Sequence, residues 1–199
     1  RLNLDKLEIY EFGYIGIFFL VLLSFIIHLF FALNIQANSL LFGIILFFLL
    51  IDVKKNFFLI KSLNLNFVSI SLLLVFIMTL KYKPNEDYGY YHLPYIINLI
   101  SEKVVFGLAN VHPNFAWNST WLNFSSLFYL PILKLKGTQL SNSILFFFVV
   151  YFFLKESLNR QNYLKLSHSF IVVISCYVLI KFARISEHGF DFPANIYLI

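Results

Sequence analysis

Charge is what this chain has least of. Only 13% of its 199 residues are Asp, Glu, Lys or Arg, against about a quarter in soluble domains. That shortage argues against an ordinary water-facing surface. The single cysteine, Cys176, excludes an internal disulfide, and a lone thiol in an apolar run is most simply a packing residue. The chain has no Gly-rich phosphate loop, no zinc-ligand spacing and no Ser/His/Asp pattern. No basic cluster exceeds two adjacent lysines, so the net charge of +5 suits loops facing anionic lipid and not nucleic acid.

Apolar residues are abundant instead. The chain is 60% hydrophobic with 26 Phe, and its mean hydropathy is +0.79. Several runs approach the ~20 residues that cross a bilayer. The expected fold is therefore all-α: a polytopic helical membrane protein with spans near 13–33, 39–57, 64–80, 141–157 and 167–183. Residues 1–12 read as a polar lead and 34–38 as a tight turn. Residues 1–63 read as an N-terminal transmembrane hairpin and 64–199 as a second transmembrane module. The first span carries His28, expected in a hydrogen-bonded packing role. The start at Arg1 and the end at Ile199, inside an apolar run, read as a piece of a longer protein, and no cleavable signal peptide is expected.

The module's outer loop, 81–140, is the longest stretch without a strong span. Two interfacial helices are expected in it. One, at 92–102, has apolar residues at helical spacing. The other, at 117–135, carries Trp117 and Trp121, which suit headgroup level; if it crossed the bilayer, everything after it would be inverted. Lys54, Lys55 and Lys61 form one dense basic group, and Lys155, Arg160 and Lys165 form another. The lysines of the long loop are spread thinly. By the bias of Lys and Arg toward the cytoplasm, the long loop and the tail after Arg184 face outward.

Two motifs concentrate the scarce titratable groups on that outer side. The first is P-N-E-D-Y-G-Y-Y-H-L-P, Pro84 to Pro94, with Glu86, Asp87 and His92 set among Tyr88, Tyr90 and Tyr91. A carboxylate just outside a membrane can act as general base on a hydroxyl or help hold a divalent cation against a phosphate. The second is R-I-S-E-H-G-F-D-F-P, with Arg184, Glu187, His188 and Asp191 within eight residues. Arg184 suits bidentate phosphate binding, and Gly189 and Pro193 mark a shaped turn. Each motif is also compatible with a plain polar helix end.

The order of span, acidic motif, surface helices, two spans and Arg…Asp motif resembles the membrane glycosyltransferases of the GT-C superfamily. E-D-Y-G-Y-Y-H-L-P, V-F-G-L-A-N-V-H-P-N-F-A-W-N-S-T-W and R-I-S-E-H-G-F-D-F-P-A look like a family of uncharacterised bacterial polytopic proteins grouped with them. The resemblance covers roughly 64–199, and the two extra spans before the first motif depart from the usual arrangement. It implies an inverting transferase of the bacterial inner membrane that takes sugar from a polyprenyl-phosphate-linked donor to a glycan or lipid acceptor. It implies Asp87 as base or metal-linked carboxylate, Glu86 in support and Asp191 as a second acidic group. His92, Arg184, Glu187, His188 and Tyr91 are implied at the substrate, with room for a divalent cation, Mg or Mn, at Asp87. Alternatives are a lipid-linked-sugar transporter or flippase and a polysaccharide-assembly, polymerase-like protein.

Overall fold

A computed structural model describes residues 7–51, 64–80, 87–111, 113–116, 119–158, 166–181, 189 and 191–198. Among them there is helix and no strand. The elements are α1 (Ile9–Phe30), α2 (Ile35–Ile51), α3 (Leu65–Leu80), a π-helical turn (Tyr88–His92), α4 (Leu93–Ser101), α5 (Leu108–Val111), a 3-10 turn (Pro113–Ala116), α6 (Thr120–Leu127), α7 (Lys134–Gly137), α8 (Leu140–Ser157), α9 (Leu166–Lys181) and α10 (Asp191–Leu198).

The described parts of all five long apolar runs are helices, with some ends moved by capping; residues 52–57 of the second expected span and 182–183 of the fifth lie outside the described residues. α1 starts within the expected polar lead, because the Glu11 carboxylate accepts the backbone N–H of Glu8 at 2.6 Å and closes the first turn. The 34–38 segment is the start of α2 and not a free turn: Asn34 Oδ1 accepts the Ala37 N–H at 2.9 Å, the act of an N-cap. Asn64 caps α3 in the same way, accepting from Asn66 at 3.1 Å.

α8 is the axis of the molecule. It packs against α1, α3, α6, α9 and α10. Leu145, Phe146, Val149 and Val150 are buried along it, among Ile17, Phe124, Leu127 and Val178. It runs antiparallel to α1: Tyr10 lies on Phe152 with ring centroids 5.1 Å apart, and Lys155 Nζ meets Glu8 Oε1 at 2.5 Å. The start of α3 also lies by the end of α8, with Phe67 and Tyr151 rings 6.1 Å apart. At the end of α10 the Tyr197 hydroxyl donates to the Tyr14 carbonyl at 3.4 Å. Glu8, Tyr14, Lys155 and Tyr197 thus mark one end of the bundle. The start of α8, the close of α1 and the start of α10 mark the other.

Among the described residues, two helices are long and apolar enough to cross a membrane: Ile9–Phe30, and Lys134–Ser157 counted through the α7 turn. α2, α3 and α9 are apolar but shorter, at 17, 16 and 16 residues. Among the described residues many large side chains on these helices are exposed. Phe19 is 65% exposed, Phe48 64%, Phe76 59% and Phe170 63%.

The 117–135 segment is not one helix lying on a surface. α6 is eight residues long, and Trp121 to Leu127 are all buried, against α1, α4 and α8. Its serines are satisfied inside the protein instead of by water: Ser125 Oγ and Ser141 Oγ of α8 are 2.7 Å apart, and Ser126 Oγ donates to the Leu122 carbonyl at 2.8 Å. Trp121, expected at headgroup level, is a core residue, and Trp117, expected there too, lies outside the described residues. The 92–102 helix does form, as α4 with the π-helical turn before it, and is two-faced: Tyr95, Ile96 and Leu99 are buried while Ile97 is exposed.

Candidate functional site

The first motif enters the structure as a tight π-helical turn that passes directly into α4, with Pro94 placed where a missing N–H is tolerated. This turn separates Asp87 from His92. Asp87 is exposed, whereas His92 is only 4% exposed and lies edge-on to Tyr91 with ring centroids 4.2 Å apart. Tyr91 is half-buried and Tyr90 is largely exposed. Glu86 falls outside the described residues.

Of the second motif, Arg184, Glu187 and His188 fall outside the described residues, as does the side chain of Asp191, whose backbone opens α10. Gly189 is described, and it joins the two motifs. A β-carbon on Gly189 would stand 4.0 Å from His92 Cε1. Ninety-seven positions separate these two residues in the chain, yet they are in van der Waals reach. The two motifs meet at one end of the bundle.

The residue that ties this junction to the core is Asn142, two residues after the N-terminus of α8. Its Oδ1 accepts from Trp121 Nε1 at 2.8 Å, and its Nδ2 donates to the Gly189 carbonyl at 3.1 Å. An indole N–H can only donate and a carbonyl can only accept, so the two partners fix the orientation of the amide. Asn142 holds Gly189, and Gly189 lies against His92. Sequence reading missed this role. The signal was Ser141-Asn142-Ser143 opening an apolar run, a place where polar groups are costly unless used.

Among the described residues no three of His, Cys, Asp and Glu gather into a metal-binding group. Asp87 is the one carboxylate of the expected set with a described side chain, and a divalent cation enters no step below. At the far end of the bundle, Tyr14, Phe153, Phe170 and Tyr197 line a cavity of about 440 Å³ with no charged group among the described residues of its wall. It is remote from the junction and offers no group for proton transfer at neutral pH.

A family model described as a domain of unknown function, DUF8201, matches residues 4–199. The chain belongs to this family. No curated protein and no solved structure matches it. The DUF8201 match runs through both motifs and through α1 and α2, so the N-terminal helices belong to the same family unit as the junction.

Proposed function

We propose that this DUF8201 chain is a multi-pass protein of the bacterial inner membrane. We propose further that it is an inverting glycosyltransferase using a polyprenyl-phosphate-linked sugar at the outer face. The observation that carries the reading is the meeting of His92 with Gly189, which puts the two charge-bearing motifs at one end of the bundle. The bare Phe and Leu faces of α1, α2, α3 and α9 support the membrane part, since contiguous apolar surface of this kind needs lipid or protein against it.

In this reading the exposed Asp87 takes the proton of an acceptor hydroxyl as its oxygen bonds to the anomeric carbon. The bond from that carbon to the phosphate oxygen breaks, and the polyprenyl phosphate leaves with the electron pair. Arg184 and His188 are the groups suited to the departing phosphate, and Asp191 is a second acidic contributor. A transporter would carry charges midway along its helices. α2 and α3 contain no Lys, Arg, Asp or Glu, and those of α1, α8 and α9 lie in their end turns. That distribution favours the enzyme.

Asp87→Asn tests the reading. Transfer from a polyprenyl-phosphate sugar by the membrane-embedded protein should fall about a hundredfold or more, with the amount of folded protein unchanged. Near-normal turnover would remove Asp87 from the mechanism.

A further inference from the structure

A second cavity, of about 340 Å³, lies where the close of α1 meets α4, the 104–109 segment and α6. Among the described residues its wall contains no Asp, Glu, Lys or Arg. It does contain three polar side chains that each have one buried polar atom unmet among the described residues. His28 Nδ1, Asn98 Oδ1 and Asn123 Oδ1 are buried atoms with no hydrogen-bond partner. His28 is 4% exposed and Asn123 1%. An unmet buried polar atom costs about 1–3 kcal/mol, so three around one cavity call for a complement.

The wall is held in place. The Val104 N–H donates to the His28 carbonyl at 3.1 Å, and the Leu33 N–H donates to the Leu99 carbonyl at 2.9 Å. Gly107 turns the rim with φ of 86°, a conformation that costs other residues strain. Phe25, Tyr95 and Phe115 supply aromatic surface, with the last two rings 6.1 Å apart. Burial pushes the Tyr95 phenol above its usual pKa, so it is a neutral hydroxyl at physiological pH.

The chemistry of the complement follows. Without wall charges the site has no preference for an ion. The Asn98 and Asn123 amides can turn between their two faces, because χ2 of Asn is broad and two-fold. Each therefore offers either a donor or an acceptor to the cavity. Hydroxyl is the group that satisfies both. Several hydroxyls on a compact frame with C–H faces for aromatic walls describe a sugar ring. The volume is near the lower end of ligand pockets, about 300–1,000 Å³, so it suits one or two rings.

We infer that this cavity binds a neutral saccharide, held by His28, Asn98 and Asn123 and bracketed by Phe25, Tyr95 and Phe115. Such a site does not depend on the glycosyltransferase reading, since a chain that transfers nothing would still bind the sugar. The ring can belong to a free glycan or to the headgroup of a glycolipid.

The test uses the protein in phosphatidylcholine nanodiscs prepared without sugar-based detergent. Saturation-transfer NMR is recorded with glucose, galactose, mannose, N-acetylglucosamine and octyl glucoside. At least one probe should bind with Kd of about 1 mM or tighter, with octyl glucoside alone marking a glycolipid headgroup as the source. Asn98→Leu should weaken that binding about tenfold, as for one lost hydrogen bond. Asn123→Leu risks the fold, so the cavity is also filled from its exposed rim with Ala109→Phe, which should abolish binding with no change in Tm. Absence of binding for all five probes overturns the inference. So does binding that Asn98→Leu and Ala109→Phe both leave unchanged.

Discussion

At the scale of single residues, Asn142 and Asn38 make an instructive pair. Both are buried carboxamides with carbonyl partners. Asn38 Nδ2 donates to the carbonyls of Leu33 at 2.9 Å, Ser126 at 2.8 Å and Tyr129 at 3.2 Å, and so pins the start of α2 to the end of α6. Asn142 pins Gly189 beside His92. Replacing either by Leu leaves buried polar groups unmet, each at about 1–3 kcal/mol, so both variants should unfold at lower denaturant. They should differ in function. Asn142→Leu frees the second motif and should lower transfer per folded molecule, whereas Asn38→Leu should not. Equal activity of the two folded variants would remove Asn142 as a positioning residue. Asp87 and His92 were legible in the sequence because charge is scarce and theirs is clustered. Asn142 was not, because an Asn at a helix start reads as an ordinary cap until its two partners, 21 and 47 residues away, are known.

At the scale of elements, apolar run length was enough to find α1, α2, α3, α8 and α9. α6 defeated it. Asn123, Ser125 and Ser126 look like a solvent-facing stripe when their partners are unknown, and the hydroxyl of Ser141 that meets Ser125 lies on another helix. The α1–α8 crossing gives a sharp prediction. A β-carbon at Gly13 would stand 2.5 Å from the Phe148 ring, while one at Gly16 would meet nothing within 4 Å. Gly16→Ala should therefore gain stability, up to about 1 kcal/mol from helix propensity. Gly13→Ala should lose about 1–3 kcal/mol through overpacking. Denaturant unfolding of the two variants in detergent checks this directly, and equal shifts would mean that the helices do not approach at Gly13.

At the scale of the whole molecule, the account stands on sidedness. The helices alternate direction about α8, so that Glu8, Lys155 and Tyr197 gather at one end. Asn142, Gly189 and His92 gather at the other. The lysine and arginine pattern gives only the expectation that both motifs face one side of a membrane. It could not give the junction itself, because that depends on long-range packing of α6 and α8 that no local pattern encodes. The most direct measurement is cysteine labelling from one side of the membrane. In a Cys176→Ser background, single cysteines are placed at Asp87 and Gly189 at one end, and at Glu8 and Leu158 at the other. Intact cells with a permeable outer layer are then treated with a membrane-impermeant maleimide. The account predicts labelling at positions 87 and 189, and labelling at 8 and 158 only after the inner membrane is broken. Reaction of 87 and 189 from opposite sides, or equal reaction at all four positions in intact cells, would contradict it.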